Sequence, residues 1–153
     1  MLSDELTAFI VRAKANTYVG TGKPSPSTRS GSHDLQFRDG AFLYIDSYFG
    51  GTDFLGQEVV YHDEQPVWAM NYYGRILLPD LITGAEAGQI IKRSLTEMYK
   101  QGRFLGGFEY VFEGSTYVDT SAGTTDSFTG KEWIIRQGQR VYELVYHGGL
   151  IKA

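Results

Sequence analysis

Sliding the chain along itself by 74 residues lays Phe54, Gly56, Glu58, Val67, Trp68, Tyr72 and Gly74 onto Phe128, Gly130, Glu132, Val141, Tyr142, Tyr146 and Gly148. The match has no gap, and six of the seven pairs are identical. One residue of slip upstream brings Tyr44-Ile45-Asp46 onto Tyr117-Val118-Asp119 and Thr52-Asp53 onto Thr125-Asp126. Self-similarity at one offset is the mark of a repeated supersecondary unit. It restricts the chain to folds that two similar halves, about 1–78 and 79–153, can build together as one domain.

Each half opens on a helical pattern. In the first, Ser3 is a candidate N-cap, Asp4 and Glu5 suit the positive end of a helix dipole, and Leu2, Leu6, Phe9, Ile10 and Ala13 recur at helical spacing, which predicts a helix over about 4–15. In the second, Thr83 and Glu86 form a capping box, Ala87, Ile91, Leu95 and Met98 make an apolar stripe, and Gly102 ends it, for a helix over about 85–100. Alternating segments follow each helix. They predict strands near 35–38, 41–49, 57–62 and 67–77, then 108–113, 115–119, 132–136 and 140–147. The expected class is α+β: a mostly antiparallel sheet from two tandem helix-plus-strands halves, with the helices packed on one face. The Gly-, Pro- and Ser-rich stretch 16–34 reads as a long surface loop, either mobile or a lid.

A hairpin turn centred between Glu64 and Gln65 sets Glu58 opposite Asn71 and Val59 opposite Met70. One face then carries Val59, Tyr61, Trp68, Met70 and Tyr72, matched by Trp133, Ile135, Tyr142, Leu144 and Tyr146, and is the core face. The other carries Glu58, His62, Asn71, Tyr73 and Arg75 with Glu132, Glu143 and His147, and Tyr44, Asp46 and Tyr48 join it if their strand lies in the same sheet. Tyr44, Tyr48 and Tyr73 offer stacking surfaces, and Asp46, Glu58, Asn71, Arg75, Glu132 and His147 offer orienting polar groups. Such a face suits a small-molecule site between the halves, a dimer surface, or plain solvent.

Composition removes several classes. A net charge of −4, from 14 Lys+Arg against 18 Asp+Glu, gives no general attraction to nucleic acid or to anionic lipid. The absence of cysteine excludes thiolate chemistry and disulfides. No apolar run approaches spanning length and the first residues are acidic, so neither membrane insertion nor a signal peptide is expected, and a cytoplasmic address follows. Val19-Gly-Thr-Gly-Lys23 lacks the spacing of a phosphate loop, and no common hydrolase, zinc or calcium pattern occurs. No cofactor is expected. A metal-dependent enzyme would need Glu58, Glu132 and either His62 or His147 to converge. The same two glutamates could act as general acid and base if one were desolvated.

The block Tyr44-Ile-Asp-Ser-Tyr48, Gly50-Gly51, Phe54-Leu-Gly-Gln-Glu58, Pro66-Val-Trp-Ala-Met-Asn-Tyr72 and Gly74, closing with Tyr142 and Tyr146-His-Gly-Gly149, resembles an uncharacterised bacterial domain found alone or C-terminal to helix-turn-helix (XRE-type) regulators. The resemblance implies a sensor or interaction role and supplies no reaction. At the level of architecture, the duplicated plan is also similar to the effector-binding domains of multidrug-responsive regulators and to the paired-module metalloenzymes that include glyoxalases. A non-catalytic domain binding a small molecule is the leading expectation, with a glyoxalase-like metal enzyme and a homodimerising interaction module as alternatives.

Overall fold

The structure is a computed structural model that describes residues 2–19 and 24–153. The elements run α1 (Leu2–Asn16), β1 (Pro24–Ser25), β2 (His33–Asp39), β3 (Phe42–Gly50), β4 (Phe54–His62), β5 (Gln65–Ile76), α2 (Gly84–Tyr99), β6 (Phe108–Phe112), β7 (Ser115–Thr124), β8 (Ser127–Arg136) and β9 (Gln139–Leu150). All strand pairs are antiparallel and form one nine-stranded sheet in the order β1-β2-β3-β4-β5-β9-β8-β7-β6. Both helices pack on the same face, α1 over β2 and β3 and α2 over β6 and β7. The expected α+β class is the one observed. Among the described residues, no helix is long and apolar enough to cross a membrane.

The strand order is close to a palindrome, and its centre is the β5–β9 pair. Tyr72 faces Tyr146 there, Trp68 faces Leu150, and Ile76 faces Tyr142, so an exchange of the halves at offset 74 maps the pairing onto itself. A pseudo-twofold axis therefore runs through the Tyr72–Tyr146 pair, normal to the sheet.

Both main hairpins close on two-residue turns with positive φ, Asp63-Glu64 (49° and 64°) and Gln137-Gly138 (52° and 73°). This is the turn type whose twist suits an antiparallel pair. Each hairpin then shifts register, between Val60 and Tyr61 and between Ile134 and Ile135, leaving Val67 and Val141 as the extra residues of β-bulges. The bulges serve the junction of the halves: Ile151 N–H donates to the Val67 carbonyl at 2.9 Å and Leu77 N–H to the Val141 carbonyl at 2.8 Å.

Turn and bulge together correct the expected register. Glu58 faces Met70, not Asn71, and Val59 faces Ala69, not Met70. The assignment of β5 and β9 stands, with Trp68, Met70, Tyr142, Leu144 and Tyr146 in the core and half-buried Tyr72 packed against it. That of β4 and β8 inverts. Val60 and Ile134 are fully enclosed, and Glu58 and Glu132 are each 6% exposed, while Val59, Tyr61, Trp133 and Ile135 take the outer face.

At the helices, Thr83 and Glu86 make the expected capping box, with both bonds at 3.1 Å. Ser3 lies inside α1, not at its N-cap. Several strands outrun their expected ends, because the Ser-, Thr- and Gly-rich segment 120–127 extends β7 and β8. Much of the 16–34 loop is tied to the sheet: β1 pairs with β2, and buried Asp34 accepts from Thr28 (2.7 Å), Ser32 (2.7 Å) and Ser47 (3.0 Å). Residues 20–23, which hold most of the rejected phosphate-loop segment and part of the stretch 16–34 expected to be mobile or a lid, lie outside the described residues.

Gly56 and Gly130 test this packing. A Cβ at Gly56 would stand 2.4 Å from the Tyr72 hydroxyl, and one at Gly130 would stand 2.0 Å from the Tyr146 ring. Gly130→Ala should therefore cost roughly 2–4 kcal/mol in urea unfolding. Gly88→Ala, in the interior of α2 with nothing within 4 Å, should stabilise by roughly 0.5–1 kcal/mol.

Candidate ligand cavity between helices and sheet

The two glycines exist beside the two tyrosines for a chemical reason. Tyr72 projects from β5 across Gly56 of β4, and its hydroxyl donates to Asp46 Oδ1 on β3 at 2.6 Å. In the second half Tyr146 crosses Gly130 and donates to Asp119 Oδ1 at 2.8 Å. Shorter diagonals add a second set: Tyr44 donates to Glu58 Oε1 at 2.6 Å, and Tyr117 donates to Glu132 Oε2. Each half thus holds one Asp, one Glu and two tyrosines in the same arrangement. The Tyr-x-Asp, Gly-x-Glu and Tyr of the repeat are this lattice.

Two additions are not symmetric. Lys14 of α1 donates from Nζ to Glu58 Oε1 at 2.7 Å and sits 5.3 Å from the centre of the Phe104 ring. Glu132 instead receives a second tyrosine, Tyr142, on Oε1 at 2.9 Å.

These groups, Tyr142 excepted, line a cavity of about 80 Å³ between the helices and the centre of the sheet, walled as well by Tyr18, Leu95, Tyr99 and Phe104. It shares Tyr18, Phe54 and Tyr72 with an adjoining hollow of about 190 Å³ that runs beside the start of α2. That is room for several water molecules or a small ligand.

Four carboxyl groups face one ammonium here, with Asp46, Asp119, Glu58, Glu132 and Lys14 all at 6% exposure or less. Ionised groups so placed are costly unless paired. Burial, and then the neighbouring Glu132, pushes the Asp119 carboxyl up to about 7. Asp46 moves up as well, through burial and then Glu58, and Glu132 is raised by burial. Burial also raises the tyrosine hydroxyls, which remain donors. Ser25 Oγ is the one fully enclosed side-chain polar atom among the described residues that lacks a partner. Asp46, Glu58 and Asp119 each leave one carboxyl oxygen without a protein donor among the described residues, and all three line the cavity.

Of the residues singled out from sequence, Tyr44, Asp46, Glu58 and Glu132 meet in this cavity, and Tyr48 lines the adjoining hollow. Asn71, Tyr73, Arg75 and His147 do not join them. They project from β5 and β9 on the uncovered face, where Asn71 accepts from Gln57 at 2.8 Å and Arg75 lies 3.5 Å from Glu143. Neither His62 nor His147 lines the cavity, and among the described residues no group of three or more His, Asp or Glu is placed to hold a metal ion. Sequence reading missed Lys14, Tyr72, Tyr117, Asp119 and Tyr146 as site residues. The repeat itself pointed to four of them, as the mates of Tyr44 and Asp46 and as the repeated Tyr72–Tyr146 pair.

The arrangement defines an α+β domain with a duplicated acid–tyrosine cavity at its pseudo-twofold axis. Residues 46–151 match the family described as a domain of unknown function, DUF5680, and the chain belongs to that family. The matched region holds both acid pairs and excludes α1 with Lys14. No curated protein and no solved structure matches.

A carboxyl whose folded pKa is raised binds more protons folded than unfolded, so stability falls as pH climbs from the unfolded value near 3.8 to the folded value near 7. Denaturant midpoints should accordingly rise on acidification from about pH 7.5 to 5, by at most about 1.4 kcal/mol per pH unit for each carboxyl. Asp119→Asn should flatten that slope. Asp34, held low because its hydroxyl bonds outweigh its burial, acts only below this window.

Proposed function

We propose that this chain is a small-molecule-binding domain without catalysis, and that its ligand lies in the cavity between the helices and the sheet, where the two halves meet. The observation that carries this reading is a set of carboxyl groups on residues more than nine-tenths buried that line the cavity, three of them with an oxygen that accepts from no protein donor among the described residues. A fold gains nothing in stability from such groups. Their retention, with one copy in each half, fits recognition of something that enters. The resemblance to bacterial domains that follow helix-turn-helix regulators supports a sensor role in the cytoplasm.

One further observation favours self-association through the other side of the sheet. Leu55, Tyr73 and Val145 are about half exposed and sit side by side across β4, β5 and β9 on the face without helices. Sedimentation at increasing concentration reads this directly, and a monomer throughout removes it.

Trp68 provides the test of binding. It is fully buried and meets Phe104 of the cavity wall edge-on at 5.9 Å, while Trp133 lies on the outer face. In a Trp133→Phe background, members of a metabolite and drug library that enter the cavity should change Trp68 emission and raise the thermal midpoint together. A library that moves neither contradicts the reading.

A further inference from the structure

The pseudo-symmetry breaks at one chemically telling place. Four buried positions of α1, Leu6, Phe9, Ile10 and Ala13, and Thr17 just after it correspond at an offset of 81 to Ala87, Ile90, Ile91, Ser94 and Met98 of α2, whereas buried Val11 corresponds to exposed Lys92. The same offset matches Tyr18 with Tyr99, and both line the cavity. It matches Lys14 with Leu95, which also both line it. The Asp46–Glu58 pair therefore has an ammonium from its own helix, 2.7 Å from Glu58. The Asp119–Glu132 pair has a leucine in the corresponding place.

The oxygens of the second pair are engaged by tyrosines alone. Glu132 has both oxygens engaged, by Tyr117 and Tyr142, and Asp119 accepts from Tyr146 on Oδ1. Asp119 Oδ2, like Asp46 Oδ2 in the first half, accepts from no protein donor among the described residues, and Asp119 is only 4% exposed. An N–H-bearing cation answers this site and an anion does not, because four acidic groups surround the cavity. Tyrosine and phenylalanine rings on its walls suit an organic cation. The charged and titratable groups around Asp119 are Glu132, Tyr146, Tyr117, Tyr99, Lys14 and Arg103. Lys14 is committed to Glu58, and Arg103 Nη1 donates to the Leu105 and Gly107 carbonyls at 2.8 Å each.

We propose that the cavity takes a small primary or secondary ammonium ion, its nitrogen donating to Asp119 Oδ2 on the side of the cavity whose helix supplies no ammonium and its alkyl part lying along Leu95 and Leu144. This rests on the small-molecule reading above and names the ligand class. Cation binding favours ionised Asp119, so affinity strengthens as pH rises and binding releases protons near neutrality.

Calorimetric titration with butylammonium, 1-butanol and butyrate tests it. Butylammonium should bind at pH 7.5, roughly tenfold or more weakly at pH 5.5, and roughly tenfold or more tightly than either isostere. Asp119→Asn should weaken it about tenfold or more, and Leu95→Lys, which supplies the missing ammonium from the protein, should abolish it. Equal binding of butanol or butyrate overturns the ammonium assignment, as does unchanged butylammonium binding in Asp119→Asn. If none of the three binds while library compounds still change Trp68 emission, the ammonium assignment falls and the cavity reading stands. If the library is silent as well, both fall.

Discussion

Four carboxyl groups lie beneath two helices with one lysine among them, and the rest of the structure is arranged around keeping them there. Each is held by tyrosine hydroxyls, which satisfy an acceptor without adding a charge. Reaching the aspartates takes a ring that spans two strands, and such a ring needs a strand position with no side chain beneath it. Gly56 and Gly130 are those positions. The chain from glycine to tyrosine to aspartate thus links backbone sterics to the electrostatics of the cavity. It occurs once in each half because the halves repeat.

The duplication also explains where the cavity lies. Antiparallel pairing of β5 with β9 puts the local axis through Tyr72 and Tyr146, so the two acid–tyrosine lattices are brought side by side at the centre of the sheet. The bulges at Val67 and Val141 secure that pairing by giving each half a carbonyl for the other half's departing strand. The same bulges shift the register that turns Glu58 and Glu132 inward. Assembly of the halves and acidity of the cavity therefore share a cause. Lys14 then distinguishes the halves, giving one acid pair an ammonium on Glu58 and leaving the other facing Leu95.

Much of the plan was legible in the chain itself. The repeat survived as identities, the α2 capping box is local chemistry, and β5 and β9 alternate cleanly enough to show which side is apolar. The inward face of β4 and β8 was not legible, for two physical reasons. Val67 continues the alternation of β5 and gives no local sign that it is extra, so the bulge shifts register unseen. A strand whose glutamate is followed by Val59 or by Trp133 is also read with its carboxylate outward, since burial of an acid is costly in isolation, and only the hydroxyls arriving from β3, β7 and β9 and the ammonium from α1 make it tolerable here. Tyr44, Asp46, Glu58 and Glu132 therefore lie together on the covered face of the sheet and not on the open one, and Asn71, Tyr73, Arg75 and His147, expected beside them, lie on the opposite face. Lys14 sat beside a stripe of apolar helix positions, where a lysine ordinarily reaches for solvent.

The central claim is that the second half's acid pair is enclosed yet open to an external cation, and the protonation of Asp119 reports on it directly. Side-chain carboxyl resonances followed by NMR across pH should show Asp119 titrating near 7 in the free protein and well below that in saturating butylammonium. Titration of Asp119 near the ordinary value of about 3.9, in both the free and the ammonium-containing samples, would contradict the account.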